Sequence, residues 1–154
     1  MVTIKKVVNG GYGLARLADG KTVLVHFSLP GETVEIAIDR RQQRLDYARA
    51  TTILTAHPGR ITPPCPYYGS CGGCDLQHAD YDTQCRLKRA ILVDLFSRSP
   101  AAELSESADS IATIIGAAQP LGYRQRIRLQ IDVQGRVGFH RFHAHQVISI
   151  KRCL

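Results

Sequence analysis

The stretch Glu32-Thr-Val-Glu-Ile-Ala-Ile-Asp-Arg-Arg41 alternates with a period of two: Val34, Ile36 and Ile38 fall on one face and Glu35, Ala37 and Asp39 on the other. Such a pattern predicts a half-buried strand with one face in a core. Working outward, residues 3–8, 12–17, 21–27 and 47–55 also read as short strands. Asn9-Gly10-Gly11, Asp19-Gly20 and Pro30-Gly31 punctuate them as turns. An open five-stranded sheet would leave two edges unpaired, so a small closed barrel of the oligonucleotide-binding (OB) shape is expected here. With 44% hydrophobic residues in 154, there is enough apolar surface for a real core.

Beyond the barrel the texture changes. Residues 57–66 hold four of the seven prolines, which neither continue a helix nor sit in a central strand, so a linker is expected. Asp80 or Asp82 can cap a helix running to about residue 99, with Leu87, Ile91, Leu92, Leu95 and Phe96 on one apolar stripe. Residues 100–110 are small, acidic and serine-rich and read as a loop. Residues 123–131 alternate again, setting Arg124, Arg126 and Arg128 on one face and Ile127, Leu129 and Ile131 on the other. Further strands at 136–141 and 146–150, joined through Gln134-Gly135, complete an antiparallel meander. The fold class is mainly β with a small α part: a five-stranded barrel over 1–57, a cysteine-rich loop and helix over 58–99, and a β meander over 100–154.

Five cysteines are an odd number, and in a reducing compartment thiols serve metals or chemistry more often than disulfides. Cys65, Cys71 and Cys74 have five and then two residues between them, with Gly72-Gly73 letting the backbone wrap closely. Cys153, delivered by the meander, supplies a distant fourth thiolate, and Lys151 and Arg152 beside it offset the accumulated negative charge. Spacing alone leaves tetrahedral zinc and an iron–sulfur cluster both open. Cys85 lies at the edge of the helical stripe and reads as a small buried hydrophobe. His140, His143 and His145 crowd a turn and suit surface or phosphate contact better than a second metal. His26, His57 and His78 read as structural.

The net charge of +7 sits at the two ends: residues 1–64 carry +4, 65–99 carry 0, 100–115 carry −3 and 116–154 carry +6. Two basic segments around a neutral centre suit a polyanion partner, because lysines and arginines gain affinity by releasing counterions from phosphates. No run approaches the roughly 18 apolar residues of a membrane helix, and the first residues lack a signal-peptide pattern. A cytoplasmic protein without a membrane role is expected; nothing sets an oligomeric state.

Specific residues now carry a resemblance. Cys65-Pro-Tyr-Tyr-Gly-Ser-Cys71-Gly-Gly-Cys74, followed by Leu76-Gln77-His78, Tyr81-Asp-Thr-Gln84 and Lys88, resembles the iron–sulfur segment of the RNA uracil-C5 methyltransferases. Residues 11–16 and 25–31 resemble that family's amino-terminal TRAM domain, an RNA-binding barrel. Tyr123-Arg124, Gly138-Phe139 and the approach to Cys153 resemble its central β region. The resemblance implies a [4Fe–4S] cluster on Cys65, Cys71, Cys74 and Cys153, and rRNA or tRNA as the partner. It also implies a parent enzyme that methylates uridine C5 with S-adenosylmethionine. In the family a cysteine adds to the uracil ring and a glutamate removes the C5 proton. Both belong to a carboxy-terminal Rossmann-like domain that this chain is expected to lack, which would make it a fragment, inactive alone. Two positions depart from the pattern: Cys85, where a leucine-like residue is usual, and Gln125, where an asparagine commonly follows Tyr-Arg.

On this reading Lys5, Lys6, Arg16, Arg40, Arg41 and Arg44 hold RNA phosphate from the barrel, and Arg124, Arg126 and Arg128 from the sheet. Tyr12, Phe27 and Tyr67 or Tyr68 are candidate base-stacking platforms. Other classes also fit the residues: an RNA-binding zinc module with no link to an enzyme, or an iron–sulfur electron-transfer protein.

Overall fold

The computed structural model describes all 154 residues. Nine strands run in chain order. They are β1 (Val2–Thr3), β2 (Lys6–Val8), β3 (Tyr12–Arg16), β4 (Thr22–His26), β5 (Thr33–Arg41), β6 (Leu45–Thr55), β7 (Gln130–Ile131), β8 (Val137–His140) and β9 (Val147–Ser149). The first six make one curled sheet in the order β1-β5-β6-β4-β3-β2. Its two outermost strands are halves of one segment: between them Ile4 N–H donates to Glu32 O at 2.9 Å and Lys5 N–H to Leu14 O at 2.8 Å. One strand, split at Ile4–Lys5, thus serves both edges, which is how five predicted strands become six. Register shifts along the β5–β6 pair help these long strands coil.

Alternation in the quoted strand does what it predicts. Val34 is fully buried, and Ile36 and Ile38 pack partly buried against a core of Val2, Ile4, Ala15, Val23, Val25, Val34 and Ala48. Gly20 and Gly31 adopt the positive φ that their turns demand.

The residues 57–66 are no loose linker. Arg60 Nε donates to the fully buried Glu32 at 2.5 Å, and a terminal guanidinium nitrogen donates to the other carboxylate oxygen at 2.7 Å. The Glu32 carboxylate also accepts from the Leu29 and His57 N–H groups. Burial pushes this carboxyl up, but Arg60 and the two N–H donors outweigh it and hold it below its ordinary value.

Helix α1 (Tyr81–Ser97) starts where expected, with Asp80 accepting from Thr83 N–H at 2.7 Å. Its stripe only half docks. Leu87 is buried with Val7, Leu29 and Ala79 and Ile91 packs beside them, whereas Leu92 and Leu95 stay exposed. Past Ile91 the helix is held to the barrel by the Lys6–Asp94 ion pair instead. The expected loop at 100–110 holds a short helix α2 (Ala102–Glu106) and a 3-10 turn (Ala108–Ser110). Ala108 is buried, and Arg89 of α1 donates to Ile111 O at 2.9 Å; serine-rich composition conceals this docking.

The carboxy-terminal sheet is a three-stranded antiparallel meander, β7-β8-β9, but it is shorter than the alternation predicts. Residues 123–129 form no strand, and Arg124, Arg126 and Arg128 do not line a sheet face; all three are exposed, as are Ile127 and Leu129. Alternation specifies which side is apolar, yet a strand also needs a hydrogen-bonded neighbour, and β8 pairs with only two residues of this segment. No helix is long and apolar enough to cross a membrane.

Candidate functional site

The cysteine loop is a chain of tight turns docked on the meander. Tyr68 N–H donates to Cys65 O at 3.1 Å and Cys71 N–H to Tyr67 O at 2.8 Å. Two cross-bonds, Gly72 N–H to His140 O (3.0 Å) and Phe142 N–H to Ser70 O (2.9 Å), pair the loop with the β8–β9 hairpin. A side chain at Gly72 would press on His140 O, with Cβ only 3.3 Å away, so the close approach favours glycine. On the other flank Cys65 N–H donates to the Gln77 side chain, and Lys151 N–H donates to the Tyr67 hydroxyl at 3.2 Å. That last bond draws the end of the chain across the loop.

Cys65, Cys71, Cys74 and Cys153 consequently line one cleft of about 970 Å³, which Cys85 and Lys88 also border. No three histidine, cysteine, aspartate or glutamate side chains converge closely enough to hold a single ion. Burial raises the Cys71 thiol, and the neighbouring Cys65 and Cys153 raise it further, against a Gly73 N–H that lowers it. Burial likewise raises Cys74, with Cys153, Cys65 and Cys71 adding to it and the Gln77 side chain opposing. The thiols of Cys71 and Cys74 thus lie close enough to the other cysteines to be raised by them, and clustered thiols suit a soft cationic centre.

The barrel's basic residues divide by what they already do. Lys6 is committed to Asp94, Arg16 donates to Gly20 O at 2.7 Å within its own hairpin, and Arg41 lies 3.7 Å from the buried Asp46, whose main partner is Lys21 at 2.6 Å. Arg40 sits over the Tyr47 ring at 4.2 Å. Lys5 and Arg44 are exposed and make no side-chain hydrogen bond or ion pair. The structure therefore leaves Lys5, Arg40 and Arg44 the most available cations among the six.

Aromatic rings collect at the junction of barrel, loop and hairpin. Tyr12 lies 5.6 Å from Tyr47 and 3.9 Å from His26, centroid to centroid, and Phe142 meets His26 edge-on at 4.2 Å. Phe27 contacts both Tyr68 (5.3 Å) and Phe142 (5.1 Å), so Phe27 and Tyr68 serve packing more than an open platform. His26 Nε2 and His143 Nε2 are 2.9 Å apart. Burial, then His143, takes the His26 imidazole down to about 3, and burial takes His78 down to about 4. The structural reading of His26 and His78 agrees with their burial.

Sequence reasoning missed Glu32 with Arg60 and the His26–His143 contact. Neither pair has a local signal, being separated by 28 and 117 residues.

Residues 1–53 match the TRAM domain family. Over 99% of its length the chain is 39% identical to the 23S rRNA (uracil(1939)-C(5))-methyltransferase RlmD of Halomonas elongata, covering 31% of that protein. It is 36% identical to an uncharacterized RNA methyltransferase of Aquifex aeolicus, again over 99% of its own length and 35% of the relative's. The chain thus spans about a third of the relatives it matches. Among solved structures, the Pyrococcus abyssi tRNA (uracil-54, C5)-methyltransferase in complex with S-adenosyl-L-homocysteine superposes with a TM-score of 0.61 at 24% identity, over 99% of this chain and 32% of that one, a likeness of fold.

Proposed function

We propose that this chain, which carries a TRAM domain at residues 1–53 and is homologous throughout to about a third of the RNA uracil-C5 methyltransferases, is the RNA-recognition and cluster-binding portion of such an enzyme. The parent would act on rRNA or tRNA with S-adenosylmethionine, in the cytoplasm, where thiols stay reduced. No residue of this chain is given a part in methyl transfer.

The observation that carries the reading is that four cysteines, from positions 65 to 153, border one cleft beside a basic barrel. Cys65, Cys71, Cys74 and Cys153 would hold a [4Fe–4S] cluster. When bound, the cluster supplies a covalent tie between loop and carboxy-terminal segment. Around it the chain's own groups do the positioning: Gln77 accepts from the Cys65 N–H, Tyr67 anchors the terminal segment, and Glu32 with Arg60 fixes the loop's root on the barrel. Lys5, Arg40 and Arg44 would meet phosphate from the barrel, with Arg124, Arg126 and Arg128 adding exposed charge from the segment before β7.

The test is an anaerobic purification with iron, sulfide and zinc analysis of the same sample, and Cys153→Ala beside it. Near-stoichiometric iron and sulfide, lost in the variant, is the expected result; zinc without sulfide would replace the cluster with a zinc module. In parallel, RNA titrations at two salt concentrations should show affinity falling steeply with salt, and a salt-independent or absent affinity would remove the RNA reading.

A further inference from the structure

A second cleft, of about 500 Å³, opens between the cysteine loop and the β8–β9 hairpin. Gly72, Gly73 and Asp75 line it from the loop, and His140, Arg141 and Phe142 are among its hairpin residues. Its size falls within the range of pockets that enclose small organic groups.

Its hairpin wall is held in place from behind. Besides the two loop cross-bonds, His143 Nε2 lies 2.9 Å from His26 Nε2 and 3.1 Å from the Tyr12 hydroxyl, and Phe142 packs on His26 and Phe27. His143 keeps a left-handed φ of 54°, a conformation that these contacts pin. The groups facing the cleft, by contrast, have capacity to spare. Arg141 has only a long 3.3 Å bond to Gln146, Asp75 uses no carboxylate oxygen within the chain, and His140 spends Nδ1 on His145 O while Nε2 makes no bond. Three nearby histidines invite a metal, but two of their nitrogens are committed and no trio converges.

The cleft also continues a line of rings. Arg40 over Tyr47, then Tyr12, then His143 lead across the barrel wall to the hairpin. Rings interleaved with cations are what a single strand of nucleic acid tracks, stacking bases and neutralising phosphates.

We infer that this cleft seats one unpaired nucleotide of the RNA, with its phosphate on Arg141 and His140 and its base on the aromatic wall; this rests on the RNA-binding reading above. Asp75 accepts from a ribose hydroxyl or a base amine.

The test uses the whole chain and a short single-stranded RNA carrying one 5-iodouridine. Irradiation should cross-link the tryptic peptide 142–151, and Arg141→Ala should weaken binding about tenfold. Arg136→Ala, the same charge loss on the exposed β7–β8 turn, should change affinity less than about twofold. Cross-links confined to barrel peptides, or equal losses in the two variants, would overturn the cleft and leave RNA binding standing. No binding by the unaltered chain would overturn both.

Discussion

Residues 33–41 and 123–131 carry the same period-two alternation, yet the first becomes a nine-residue strand with Val34 fully buried and the second pairs for two residues, with Ile127 and Leu129 exposed. The difference lies in their neighbours. β5 is flanked on both sides, by β1 and β6, inside a sheet whose ends are served by one segment. The later stretch finds only β8, and only at Gln130 and Ile131. An alternating pattern prepares a face; partner strands decide whether that face is buried.

The comparison can be broken most forcefully at Glu32. Glu32→Ala leaves the Arg60 guanidinium, 19% exposed, without its carboxylate, and should cost about 3–5 kcal/mol in the barrel's unfolding free energy, read by urea denaturation. A loss below about 1 kcal/mol would mean that the pair is not what unites barrel and loop root.

Acid should come next. His26 and His78 are neutral in the fold, with values of about 3 and 4, while an unfolded histidine titrates near 6.5. Because the folded values are depressed, unfolding takes up protons, so their contribution is complete above about pH 6.5 and shrinks as pH falls towards 3–4. Between pH 7 and 5 the chain should lose about 2–4 kcal/mol, seen as a falling melting temperature. A flat profile over that interval would place both rings in water. Glu32, held below its ordinary value in the fold, adds a separate loss as pH falls through about 4.5, where an unfolded glutamate begins to take up its proton.

The smallest expected effect sharpens the contrast. Ile127→Ser should move stability by less than about 0.5 kcal/mol, whereas Ile4→Ala in the barrel core should cost about 2–5 kcal/mol. Comparable losses at the two positions, in the same denaturation assay, would show that residues 123–129 are packed after all.

Much of the fold was legible because its causes are local. Turn glycines at 20 and 31, the cap at Asp80 and the alternation of Val34, Ile36 and Ile38 each depend on residues close in the chain. Two of the places where legibility failed share one cause. Leu92 and Leu95 continue a helical stripe, and Arg124, Arg126 and Arg128 continue a strand pattern, but each lacks a surface to meet. At the candidate site, the sequence pointed to the loop cysteines by spacing and to Cys153 by the resemblance, and the structure sets all four along one cleft.

By itself, then, the sequence determined the main strands of the barrel, the turns that join them and the helix start, since residue type and short-range spacing set these through backbone sterics and local hydrogen bonds. Only the tertiary structure decided that the first strand closes both edges of the sheet, that Glu32 reaches Arg60, and that Tyr67 holds Lys151. It alone brought Arg141 and Phe142 against Gly72 and Asp75 to make a cleft. Such contacts form where chain closure and burial bring distant segments together, and a side chain's partner across 28 or 117 residues leaves no mark in the residues beside it.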